Sequence, residues 1–116
     1  MENKGITEFE IFNAPNLKQL DLDNNFLGFE FILSEGLTSL EVLGLRYNYL
    51  SEFVVSASLV NLKQLNLEGK DLGSEFVFPL GLDNLEYLNL YYNDLSQEQI
   101  QEIQEKIPET CEFIHY

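Results

Sequence analysis

The stretch Leu17-Lys18-Gln19-Leu20-Asp21-Leu22-Asp23-Asn24-Asn25-Phe26-Leu27 decides how this chain folds, because its spacing returns three more times. The pattern L-x-x-L-x-L-x-x-N-x-L recurs as Leu40, Leu43, Leu45, Asn48, Leu50, then as Leu62, Leu65, Leu67, Lys70, Leu72, and finally as Leu85, Leu88, Leu90, Asn93, Leu95. The starting leucines are separated by 23, 22 and 23 residues. A second motif rides between them as Glu8-Phe9, Glu30-Phe31, Glu52-Phe53 and Glu75-Phe76, spaced 22, 22 and 23. Two motifs that keep step within one residue over four copies define a structural repeat.

Within each L-x-L the side chains alternate, so the leucines share one face and the residues between them the other. The spacing predicts parallel strands over 18–24, 41–47, 63–69 and 86–92, one per repeat. The return segments alternate as well. Phe31 and Leu33, Phe53 and Val55, and Phe76 and Phe78 are expected to point inward, while Glu30, Ile32, Glu52, Val54, Glu75 and Val77 point outward. This predicts extended or short 3₁₀ returns in place of long helices. Phe9, Phe31, Phe53 and Phe76 are expected to stack as a core spine.

These residues resemble the leucine-rich-repeat family, and the resemblance covers nearly the whole chain. It implies an α/β solenoid with a parallel five-stranded concave sheet, mostly extended or 3₁₀ convex returns and one C-terminal capping helix. In that family the motif asparagine bonds backbone groups of the turn after the strand. Lys70 stands at that position in the third copy and cannot accept a hydrogen bond. That rung is expected to open slightly or recruit water, and Lys70→Asn to stabilise the fold.

At 116 residues the chain is read as one domain, with 1–16 a partial N-terminal repeat or cap, 17–95 four repeats and 96–116 a helix-plus-strand cap. A solenoid exposes its core at both ends unless it is capped. Ser96 and Gln99 have capping-box spacing, Leu95 and Ile100 fit a hydrophobic staple, Ile100, Ile103 and Ile107 mark one helical face, and Pro108 stops the helix. Beyond it, residues 108–116 overlay 85–93 at an offset of 23, with Cys111 for Leu88 and Phe113 for Leu90, which predicts a fifth strand. This end also resembles the helix-then-strand caps of bacterial repeat proteins. Residues 6–12 supply only the return half of a repeat. The N-terminus is therefore a short cap, the edge of a longer array, or a face that pairs with a second copy. A monomer is favoured over such a homodimer.

Twenty acidic residues against six basic ones give a net charge of −14, which argues against direct nucleic-acid binding. No apolar run approaches the ~18 residues of a membrane span. One cysteine, no glycosylation sequon and no signal-like N-terminus point to the cytoplasm, with delivery elsewhere left open.

Catalytic constellations are missing from the sequence: Cys111 falls on a leucine position, and His115 is the sole histidine. The glutamate column Glu8, Glu30, Glu52, Glu75 reads as a solvated face, not a metal site, and no cofactor is implied. The exposed strand positions form columns: Gln19, Val42, Gln64, Tyr87, Thr110; Asp21, Gly44, Asn66, Asn89, Glu112; Asp23, Arg46, Glu68, Tyr91, Ile114; and an edge of Asn24, Tyr47, Gly69, Tyr92, His115. Tyr47, Tyr87, Tyr91 and Tyr92 gather near Arg46, the residue types that dominate interface hot spots. Asp21, Asp23, Glu68 and Glu112 make the same face acidic. The expected function is non-catalytic binding of a protein with a basic surface on the concave strands. The alternative is an acidic inhibitor that blocks a nucleic-acid-binding enzyme by imitating phosphate charge.

Overall fold

The structure is a computed structural model that describes residues 14–27, 33, 36–51, 53–69 and 72–115. Its elements are β1 (Gln19–Asp21), β2 (Val42–Gly44), β3 (Gln64–Asn66), β4 (Tyr87–Asn89), α1 (Gln97–Lys106) and β5 (Glu112–Ile114). The five strands form one parallel sheet in sequence order. Leu20, Leu43, Leu65 and Leu88 stand in register and are buried, as are Leu22, Leu45, Leu67 and Leu90 behind them. The core is thus built from repeated leucines stacked one turn of the solenoid apart.

The strands are three residues long, shorter than the seven-residue spans the alternation suggested. The hydrogen bonding between repeats nevertheless runs further. Glu41 N–H donates to Lys18 O at 2.8 Å before the strand, and Leu22 N–H to Gly44 O and Asn24 N–H to Arg46 O, both at 2.8 Å, after it. The same bonds recur from Tyr47 to Glu68 and from Gly69 to Tyr91. The ladder continues, but the chain bends sharply through it, with Asn24, Tyr47 and Tyr92 at φ of 56°, 56° and 65°. Left-handed backbone ends the strand geometry while the bonding persists.

The motif asparagines tie one repeat to the next. Asn48 donates from Nδ2 to Leu22 O at 2.9 Å and Leu45 O at 3.1 Å, and its Oδ1 accepts from Leu27 N–H at 3.0 Å. Asn93 does the same with Leu67 O, Leu90 O and Leu72 N–H. Between them lies the junction that Lys70 should serve. Lys70 itself falls outside the described residues, yet its neighbours are visible. Leu50 N–H, the counterpart of Leu27 and Leu72 N–H, has no hydrogen-bond partner among the described residues. A void of about 10 Å³ sits there, lined by Leu45, Asn48, Leu50, Leu67, Leu72 and Asn93. That is about one water molecule's worth of space. Restoring the rung with Lys70→Asn is expected to add about 1–2 kcal/mol. The melting temperature would rise by about 4–8 °C, and an unchanged or lower value would count against the missing rung.

A second asparagine column was not anticipated. Asn61 donates to Thr38 O at 2.7 Å and Asn84 to Val60 O at 2.9 Å, linking repeats on the side where the chain enters each strand. The turn before each strand repeats too: Leu17, Leu40, Leu62 and Leu85 N–H each bond the carbonyl three residues back. The convex returns are extended between single turns, with no 3₁₀ helix among the described residues. Leu33, Phe53, Val55, Phe76 and Phe78 are buried, while Val54, Glu75 and Val77 are exposed, as the alternation implied. Phe9 and Phe31 of the expected spine, and Glu8, Glu30, Ile32 and Glu52 of the outer positions, lie outside the described residues.

The C-terminal cap carries the expected capping box, Ser96 Oγ accepting from Gln99 N–H at 3.1 Å and Ser96 N–H donating to Gln99 Oε1 at 2.9 Å. Gln99 does more than cap. Its Nε2 donates toward Gly73, Ser74 and Phe76 carbonyls at 3.2, 3.1 and 3.3 Å, and Lys106 Nζ donates to Phe78 O at 3.0 Å. These bonds clamp α1 onto the last return, with Ile103 buried beneath. Gln99→Ala is expected to cost about 1–2 kcal/mol, since it removes a cap and the clamp together. The loss should appear as earlier thermal unfolding, and a variant as stable as the parent would deny Gln99 the second role.

The fifth strand is present, but its register departs from the overlay. β5 pairs Tyr87 with Glu112, Leu88 with Phe113 and Asn89 with Ile114, an offset of 25 in place of 23. At that offset Cys111 stands level with Glu86, in the turn before the strand, where its N–H bonds Pro108 O at 3.0 Å. It is half-buried, not a ladder residue in the core, and burial pushes its thiol pKa up. The cause is the helix. A residue of α-helix advances ~1.5 Å against ~3.3 Å for extended chain, so a helical return needs more residues to cross the same width.

Candidate binding surface

Register fixes the columns of the concave face. The first holds Gln19, Val42, Gln64, Tyr87 and Glu112, and the second Asp21, Gly44, Asn66, Asn89 and Ile114. Glu112 thus moves beside Tyr87, and Thr110 and His115 leave the face columns assigned to them. His115 packs its ring against Phe113 at 4.8 Å. The two-residue shift from the longer last repeat accounts for these displacements and for that of Ile114 from the third column to the second.

The expected single patch divides into two zones. One is a polar cluster on the rim where the chain leaves the strands. Arg46 Nη2 reaches Glu68 Oε2 at 3.3 Å and its guanidinium lies 4.9 Å from the Tyr47 ring centre. Asn89 Nδ2 donates to Glu68 Oε1 at 3.1 Å. Burial works against the Glu68 charge, but hydrogen bonds from Tyr47 and Asn89 and the nearby guanidinium outweigh it and hold the carboxyl below its usual range. The Tyr47 hydroxyl, bonded to that carboxylate, is pushed up. The Arg46 guanidinium is raised too, chiefly through its bond with Tyr47. Its Nε is buried with no hydrogen-bond partner among the described residues. Next to this cluster Tyr91 and Tyr92 face each other at 4.0 Å, and the hydroxyl contact raises Tyr91.

The other zone is a trough over β2, with Asp21 and Asp23 on one side and Asn66 and Tyr87 on the other. On the opposite rim Lys18 and Lys63 each approach Glu41 at 3.9 Å, which interrupts the acidic surface with exposed pairs that contribute little stability.

Two aromatic residues escaped the columns. Phe26 and Tyr49, at the x of each N-x-L, stack at 6.1 Å with 10° between ring planes. They extend the rim: Phe26, Tyr47, Tyr49 and Tyr92 are 51%, 42%, 54% and 47% exposed, and all the exposed large aromatics among the described residues lie there. The signal was available, since N-x-L places x between a buried asparagine and a buried leucine and so turns it outward.

A family model described as Leucine Rich Repeat matches residues 16–38 and 84–110. No curated protein matches the chain.

Proposed function

We propose that this chain, a member of the leucine-rich-repeat family, is a non-catalytic module that docks a partner protein on its concave strands and aromatic rim. Leucine-rich repeats are commonly protein-interaction modules. The observation that carries the reading here is the rim itself. Surface residues of a regular solenoid need not be aromatic, yet Phe26, Tyr47, Tyr49 and Tyr92 expose their rings along one edge. Tyr47 and Tyr92 do so from left-handed backbone, which costs a bulky residue of order 1 kcal/mol and which glycine or asparagine would take more easily. Large rings held at a local cost, beside Arg46, have the composition of an interface hot spot.

The acidic face selects the partner's charge. With −14 on the chain and Asp21, Asp23, Glu68 and Glu112 among the strands, a basic protein surface is the complement. Capture of binding proteins by the immobilised chain at about 0.05 and 0.5 M salt tests this. Binding that weakens with salt but persists through the aromatic contacts is the expected result. Binding that vanishes with salt and ignores the tyrosines would favour an inhibitor that works by imitating phosphate charge.

A further inference from the structure

We propose that the outer surface of the second and third returns is a separate docking face, one that takes a basic amphipathic helix from a partner protein. The three most exposed large hydrophobic residues among the described residues are Val54, Leu80 and Val77, at 74%, 70% and 61%. All three lie on the convex returns, not on the strands or the aromatic rim. Val54 and Val77 occupy the same place in successive repeats, and the sequence puts Ile32 at that place in the repeat before. Exposed Ala57 continues the apolar surface along the second return, as Leu80 does along the third. The alternation of an extended return turns Val54 and Val77 outward, where packing asks for no aliphatic side chain. Between the two returns runs a groove of about 720 Å³, lined by Val54, Val77, Phe53 and Phe76 and, at one end, by Gly73 and Ser74. Aliphatic residues at equivalent places beside one groove form a patch, which scattered surface hydrophobics do not.

The occupant's chemistry follows from charge and from what the returns already bind. Glu75 is exposed two residues before Val77, and the sequence puts Glu52 two residues before Val54. With −14 on the chain, a second copy or an acidic helix would bring like charge against like charge. The chain's own α1 shows what packs well against a return. It buries Ile103 and donates to return carbonyls from an amide and an ammonium. Gln99 Nε2 reaches Gly73, Ser74 and Phe76 O at 3.2, 3.1 and 3.3 Å, and Lys106 Nζ reaches Phe78 O at 3.0 Å. A partner helix with leucine or isoleucine at i, i+3, i+4 and i+7, flanked by lysine, offers the same two kinds of contact. Its anchors stand ~4.5–6 Å apart along the axis, close to the ~4.8 Å step between repeats. The apolar face covers Val54, Val77 and Leu80, and the lysines meet the glutamates.

Two variants separate the apolar contact from the charge. Val54→Ser with Val77→Ser removes the patch and leaves the core intact, because both side chains face solvent. Glu75→Lys keeps the patch and reverses its flank.

The test is a titration of the isotopically labelled full chain with an acetylated leucine–lysine peptide patterned as such a helix, followed by amide chemical shifts. The peptide has about 18 residues, enough to form a helix. Two controls accompany it: glutamate in place of lysine, and the same residues reordered to break the helical period. The leucine–lysine peptide is expected to give saturable shifts at Val54, Val77 and Leu80. Its binding should weaken at least about tenfold with the two serines and about threefold with Glu75→Lys, and be unchanged by alanine at Tyr87 and Tyr91. Shifts confined to the concave strands, equal binding of either control, or full affinity for the serine variant would overturn the proposal. So would sedimentation of the parent chain as a dimer that the serines dissociate, since the patch would then belong to a second copy. The outcome is distinct from that of the concave surface: binding lost with the serines and kept without the tyrosines identifies two faces, and binding lost with the tyrosines alone leaves only the first.

Discussion

Replacing Asn93 by alanine is expected to destabilise the fold by about 3 kcal/mol, lowering the melting temperature by about 12 °C. Asn93 is 3% exposed, and its amide is used on both sides. Nδ2 donates to Leu67 O at 2.8 Å, to Leu90 O at 3.1 Å and toward Tyr91 O at 3.4 Å, while Oδ1 accepts from Leu72 N–H at 3.2 Å. Alanine would leave Leu67 O and Leu72 N–H, both from the preceding repeat, unsatisfied in a dry interior. Each such group costs about 1–3 kcal/mol. The site already borders the small void beside Leu50, so little packing is available to close around the lost amide. Asn84→Ala is the control. Asn84 is exposed and makes one bond, to Val60 O, so its loss should cost under about 1 kcal/mol. Equal shifts in melting temperature for the two variants would show that bridging between buried repeats is not what the motif asparagine contributes.

Alanine at Tyr87 and Tyr91 together is expected to reduce affinity for a captured partner by at least about 100-fold, since two central aromatic anchors are each worth about 2 kcal/mol or more. The two residues sit in different zones. Tyr87 forms a wall of the trough over β2, and Tyr91 joins the rim through Tyr92 and lies near Glu68. Neither belongs to the buried core, so the circular dichroism spectrum should be unchanged. A partner that binds the double variant as it binds the parent would end the case for this face. Pairing the experiment with Phe26→Ala and Tyr49→Ala shows how far along the rim the contact extends, because those two rings stack on each other.

Much of this architecture is visible in the residues alone. Leucine spacing located the first four strands to within one residue at the start and three at the end, and Ser96 with Gln99 identified the cap down to its reciprocal hydrogen bonds. The fifth strand departs from the repeat because of distance along the chain. The offset of 23 was carried into the fifth strand as though α1 consumed residues at the rate of an extended return. The true offset of 25 displaced Glu112, Ile114 and Cys111 from their assigned places. Phe26 and Tyr49 stand outside the strand alternation, in the turn after each strand, which carries the more exposed rings.

The sequence by itself determined the repeat period, the direction each side chain faces and the signals that close the C-terminal end. Those are properties of one residue and its near neighbours, and alternation or capping geometry encodes them locally. Only the tertiary structure decided who meets whom across repeats: Asp23 reaching to Arg46 where Gly44 has no side chain, Arg46 pairing with Glu68, Tyr87 facing the trough, Asn93 serving the repeat before its own. Such partners stand 20 or more residues apart. Their meeting depends on how much chain each return consumes, and that length is set by packing on the far side of the solenoid.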